Sequence, residues 1–142
     1  MRLLLLRIVF AIYLVAVGFV VWTPEPDAEA VSGLVGFAAG WLVDLGIPFA
    51  TVYAILEFAA NIAMFVPFGI LAMTAYSMRV WSATLAGLAT SALIEAVQLA
   101  LPERFATLQD VVANTSGALI GALVVATWRS RRARSQRPPS SD

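Results

Sequence analysis

Four long apolar runs, separated by short polar interruptions, dominate the pattern of this chain. A spanning helix needs roughly 20 mostly apolar residues to cover about 30 Å of hydrocarbon. The runs at about Leu3–Trp22, Ala54–Tyr76, Trp81–Leu101 and Leu108–Trp128 each supply that length. The pattern therefore predicts an all-α polytopic membrane protein, a bundle of four transmembrane helices. The linkers "SMRV" and "PERFAT" are so short that the last three spans should be antiparallel neighbours. Between Val31 and Gly46, the residues Val31, Leu34, Val35, Ala38, Trp41, Leu42 and Leu45 recur at i, i+3, i+4 spacing, with only Asp44 charged. That segment predicts a short interfacial helix in the first outer loop, anchored by Trp41.

Composition fits a bilayer rather than water, since 61% of the 142 residues are hydrophobic and 13% charged. Cysteine and histidine are absent, which excludes disulfides, Cys/His zinc sites, cysteine nucleophiles and imidazole bases. Any chemistry must run on carboxylates, amides, hydroxyls and arginine. Arginine also gives the orientation: Arg2, Arg7, Arg79 and the tail "RSRRARSQR" fall on one side of a four-span arrangement, and Glu25, Asp27, Glu29 and Asp44 on the other. By the positive-inside rule both termini are cytoplasmic. Residues 1–128 then form a single membrane domain, and 129–142 a basic, disordered cytoplasmic tail. A stop-transfer flank accounts for that basic run, so no nucleic-acid partner is expected. The start also has features of a signal peptide, with Ala28-Glu29-Ala30 as the cleavage pattern. The apolar run is long enough to span, however, and that site lies well beyond Trp22 across two prolines, which favours a retained first span.

Polar residues inside the spans are not scattered. Asp110, Asn114, Gly117 and Gly121 share one face of the fourth helix, and Thr84, Gly87, Ser91, Glu95 and Gln98 one face of the third. Glu57 and Asn61 sit a turn apart on the second, with Phe65 and Phe68 continuing inward. At 1.5 Å rise per residue, Glu57, Asn61, Glu95, Gln98, Asp110 and Asn114 all lie about 3 to 10 Å below the outer surface, and Arg104 hangs in the loop above them. Charged groups at such depth must face the bundle interior or a water-filled cavity. The pattern predicts an outward-opening pocket, whereas plain interhelical stapling would need only amides and hydroxyls. Gly117-x3-Gly121 favours packing inside the bundle over homodimerisation, though a homo-oligomer stays open. Pro67, in "FVPFG", removes one helical hydrogen bond and leaves a carbonyl near residue 63 for a partner.

The spacing Asn61-x3-Phe65-x-Pro67-Phe68-Gly69, followed by Glu95-x2-Gln98-x5-Arg104-x5-Asp110-x3-Asn114-x2-Gly117-x3-Gly121, resembles the VanZ-like family of bacterial membrane proteins. The resemblance covers about residues 54 to 125. It implies a small integral protein of the bacterial cell envelope, set in the inner membrane, in a family named for a member associated with teicoplanin resistance. Where members of that family carry an acid between the arginine and the aspartate, this chain has Thr107. Glu95 and Asp110 remain as the carboxylates of interest.

Two functions compete on this sequence. In the first, Asn61, Glu95, Gln98, Arg104, Asp110 and Asn114 bind the polar head of an envelope lipid or lipid-linked precursor, Arg104 pairing with a phosphate or carboxylate. In the second, a membrane enzyme acts on such a lipid, with Glu95 as general acid or base and Asp110 orienting it. No cofactor is expected, and Mg²⁺ held by Glu57, Glu95 and Asp110 is disfavoured because that ion rarely takes an all-protein cage. Transport is disfavoured too, since Phe65, Phe68, Leu119 and Ile120 below the polar level offer no charged relay. The predicted orientation has a direct check. Cysteine placed at Ala28 or Phe105 should react with a membrane-impermeant thiol reagent in intact cells, and cysteine at Ser77 or Ser135 should not; the reverse labelling would overturn it.

Overall fold

The computed structural model describes residues 1–22, 42–43, 46–99 and 107–136. Four helices run in order: α1 (Arg2–Trp22), α2 (Phe49–Ala75), α3 (Val80–Gln98) and α4 (Leu108–Ser135). Each is long and apolar enough to cross a membrane, and no strand occurs among the described residues.

Helix α3 ends at Gln98, short of the expected Leu101, and two other helix ends differ by more. Helix α2 begins five residues early, where the Pro48 carbonyl accepts the amides of Thr51 at 2.9 Å and Val52 at 3.2 Å. Proline's fixed φ, here −57°, suits a helix entrance. Helix α4 continues to Ser135, so residues 129–135, expected to be disordered tail, are helical. Arginine is a good helix former, and positive charge is favourable at a helix C-terminus. The Arg132 guanidinium also lies 4.0 Å over the Trp128 ring, one turn back. Of the expected interfacial helix, nearly all lies outside the described residues. Leu42 and Val43 are helical, and Gly46 at φ +84° turns the chain with its amide donating to the Val43 carbonyl at 2.8 Å.

The most extensive packing is between α2 and α4, which are not neighbours in sequence. Both are antiparallel to α3, so they run parallel to each other. Glycines set their separation. A side chain at Gly69 would collide with the Ala118 carbonyl, one at Gly117 with the Ile62 carbonyl, and one at Gly121 with the Val66 carbonyl. The two backbones touch with no side chain between them, so Gly117-x3-Gly121 packs within the bundle. Helix α3 joins from the other side, where Gly87 admits the Ala118 methyl and Ala83 and Ile94 are buried.

Helix α1 crosses back along α2. Phe10 meets Phe68 edge-on at 5.3 Å and Tyr76 at 5.8 Å. Pro67 sits inside α2, where it deprives the Ala63 carbonyl of its helical donor. The next carbonyl along, Met64, accepts the Tyr13 hydroxyl of α1 at 2.6 Å, so the proline-weakened turn is tied to the first helix. At the end of α2, Arg7 Nε donates to the Ala75 carbonyl at 3.4 Å and an Arg129 guanidinium nitrogen to the Met73 carbonyl at 2.7 Å. The start of α1 and the end of α4 therefore meet at the same end of the bundle.

Because the α2–α4 contact has no spare volume, Gly69→Ala and Gly121→Ala should each destabilise the protein by about 1–3 kcal/mol. Leu119→Ala, on the exposed side of α4, should change stability by far less. Denaturation in detergent micelles measures both, and an unaffected Gly121→Ala protein would contradict this packing.

Candidate functional site

The glycine contact fixes the register of α2 on α4 and so brings Asn61 opposite Asp110. Asn61 Nδ2 donates to Asp110 Oδ1 at 2.6 Å, a short bond suited to a charged acceptor. Asp110 is free to accept it because of how α4 begins. Thr107 is the N-cap, its hydroxyl oxygen accepting the Asp110 amide at 3.1 Å. In a closed capping box, the acid three residues on would return its carboxylate to the cap residue's own amide. Here that amide instead donates to Glu95 Oε2 of α3 at 2.8 Å. Glu95 thus completes the cap from another helix and leaves the Asp110 carboxylate to reach α2.

These bonds link three helices at one level. Both carboxylates belong to the start of α4, Glu95 through the Thr107 amide and Asp110 as the residue that Thr107 caps. About 6 Å deeper, one helical turn down each helix, Asn114 Nδ2 donates to Ser91 Oγ at 2.9 Å. Both residues are buried, Asn114 to 3% exposure and Ser91 to 0%. The Asn114 Oδ1 atom is buried with no donor among the described residues. Below this pair the interior closes with Phe65, Phe68 and Ala118.

Of the six residues the sequence nominated, Asn61, Glu95, Asp110 and Asn114 fall into this hydrogen-bonded set, and Gln98 is buried a turn beyond Glu95. Arg104 lies outside the described residues. Glu57 is exposed, and no group of three carboxylates that could hold a metal occurs among the described residues. Leu119 and Ile120, expected beneath the polar level, instead face outward at 38% and 43% exposure. They sit one and two positions off the Asn114–Ala118 stripe, and the helical period turns them to the lipid. Two contributors were not nominated: Ser91, and Thr107 with both its amide and its hydroxyl. The signal for Thr107 was present in the Thr-x-x-Asp spacing of a capping box.

Beside the polar set, an apolar groove of about 360 Å³ opens between Thr51, Ala54, Ile55 and Phe58 of α2 and Gln109 of α4. The α2 residues follow i, i+3, i+4, i+7 spacing, so the groove runs along one face of the helix directly above Asn61.

A double-mutant cycle isolates the Asn61–Asp110 bond. Asn61→Ala and Asp110→Ala should couple by about 1 kcal/mol in unfolding free energy, the upper part of the range for polar pairs between membrane helices. Strict additivity would show that the two side chains do not meet. Thr107→Ala should separately cost about 1 kcal/mol as a lost N-cap.

No curated protein and no solved structure matches this chain. A family model described as VanZ/LLP1 matches residues 10–129. That match reaches back into the first helix, which the motif spacing alone did not cover, and takes in the whole hydrogen-bonded set. The family is linked to glycopeptide resistance. With its four spanning helices, the chain is a multi-pass membrane protein that belongs to the VanZ/LLP1 family.

Proposed function

We propose that the polar set of α2, α3 and α4 binds the head of an envelope lipid or lipid-linked precursor from the outer side of the bacterial cytoplasmic membrane, with both termini in the cytoplasm. One observation carries this reading. Glu95 and Asp110 converge from different helices at one depth, and each is held by a neutral donor rather than by an arginine among the described residues. Joining helices would need only pairs such as Ser91–Asn114. Two carboxylates at one membrane depth cost several kcal/mol unless something hydrates or pairs them. A headgroup rich in hydroxyl or amide donors supplies such partners, and Arg104 from the adjoining loop would pair with its phosphate or carboxylate. The apolar groove above Asn61 offers cover to an adjoining apolar part of the same molecule. A cell-wall precursor lipid fits this description and would give the family's link to glycopeptide resistance a physical basis.

Native mass spectrometry of protein extracted gently with its lipids tests the reading. The wild-type protein should carry a specific lipid, and Glu95→Gln and Asp110→Asn should each lower its occupancy about tenfold, a loss of roughly 1.4 kcal/mol. Each substitution keeps the shape and one acceptor oxygen, so the melting temperature should hold or rise. Full occupancy in the double amide variant would return both carboxylates to a structural role. A chemically altered lipid in the wild-type sample alone would favour acid–base catalysis at the same residues.

A further inference from the structure

The arginine end of the bundle lies away from the polar set. The carboxylates of the described residues, Glu57, Glu95 and Asp110, all lie in the other half of the bundle, so the arginines here face no acid among those residues. Two of them are already used by the fold. Arg7 and Arg129 donate to the Ala75 and Met73 carbonyls, at the negative end of the α2 dipole. The others are presented outward on the continuation of α4. From Trp128 to Ser135 the helix rises by about 10 Å, somewhat more than the thickness of one headgroup layer. Arg131, Arg132 and Arg134 are exposed along it, and at 100° per residue their side chains fall within an arc of about 160°, on one side of the helix. Arg132 is braced over the Trp128 ring at 4.0 Å, which holds its guanidinium at the level of an interfacial tryptophan.

We infer that this helical extension docks anionic phospholipids of the adjacent leaflet, with Arg131, Arg132 and Arg134 each reaching headgroup phosphates. Charge complementarity identifies the partner. The guanidinium fork matches phosphate oxygens, and the helix places all three forks at phosphate depth without unwinding. A flexible tail would have to order itself to make the same contacts. Each basic residue near an anionic surface contributes appreciably to binding, and salt screens the effect.

The test uses the full chain in nanodiscs of equal phosphatidylglycerol and phosphatidylcholine, with native mass spectrometry counting the lipids that stay bound. Wild-type protein should retain phosphatidylglycerol in about tenfold preference, and the preference should shrink at high salt. Arg131→Gln/Arg132→Gln/Arg134→Gln should abolish it while leaving the melting temperature in pure phosphatidylcholine discs unchanged. An unselective wild-type protein, or a triple variant with undiminished preference, would overturn the inference. Should the triple variant melt early in neutral lipid, the salt dependence of the wild-type preference decides alone, and a salt-independent preference counts against the arginines.

Discussion

The close approach of the α2 and α4 backbones is the constraint from which the other features follow. Lipid tails are as apolar as leucine, so membrane helices gain little from hiding apolar side chains and rely on tight packing and hydrogen bonds. Gly69, Gly117 and Gly121 allow that tightness by leaving no side chain in the contact. The register is then fixed along the pair. At one end Asn61 meets Asp110, and at the other Arg129 meets the Met73 carbonyl.

Around this pair, each remaining helix compensates for a local weakness. Proline in α2 costs a backbone hydrogen bond, and Tyr13 of α1 binds the carbonyl next to the gap. The first turn of α4 needs partners for its free amides, and Glu95 of α3 supplies one from outside the helix. That substitution has a chemical result as well as a structural one. An acid that a self-contained cap would have occupied is turned toward α2, and two carboxylates come to share one level of the bundle.

Much of this was legible in the sequence. Apolar run length gave all four spans, and helical spacing put Asp110, Asn114, Gly117 and Gly121 on the buried stripe, because both depend only on the 3.6-residue period. The α2–α4 pairing was not legible, since nothing in the order of elements says that the most extensive contact joins helices that are not consecutive. Leu119 and Ile120 were misplaced by reading depth without azimuth. The helical arginine tail was missed because its composition resembles a solvated flank, whereas arginine is itself a good helix former and Arg129 is tied to the Met73 carbonyl. Thr107 looked like the loss of a family acid. It proved to be the cap that determines where the two remaining acids point.

The glycine contact, not the polar bonds themselves, brings the carboxylate level together. The chain has no cysteine, so a single pair introduced at Asn61 and Asp110 reports that proximity by disulfide formation under mild oxidation in membranes. A direct side-chain hydrogen bond keeps the two backbones at or within a few ångström of the span a disulfide covers, so helix motion in the membrane brings the introduced thiols together. Rapid, near-complete crosslinking is predicted in the parent background, and strongly reduced crosslinking when Gly69 and Gly121 are both changed to alanine. Equal crosslinking in both backgrounds, or none in the parent, would contradict the account.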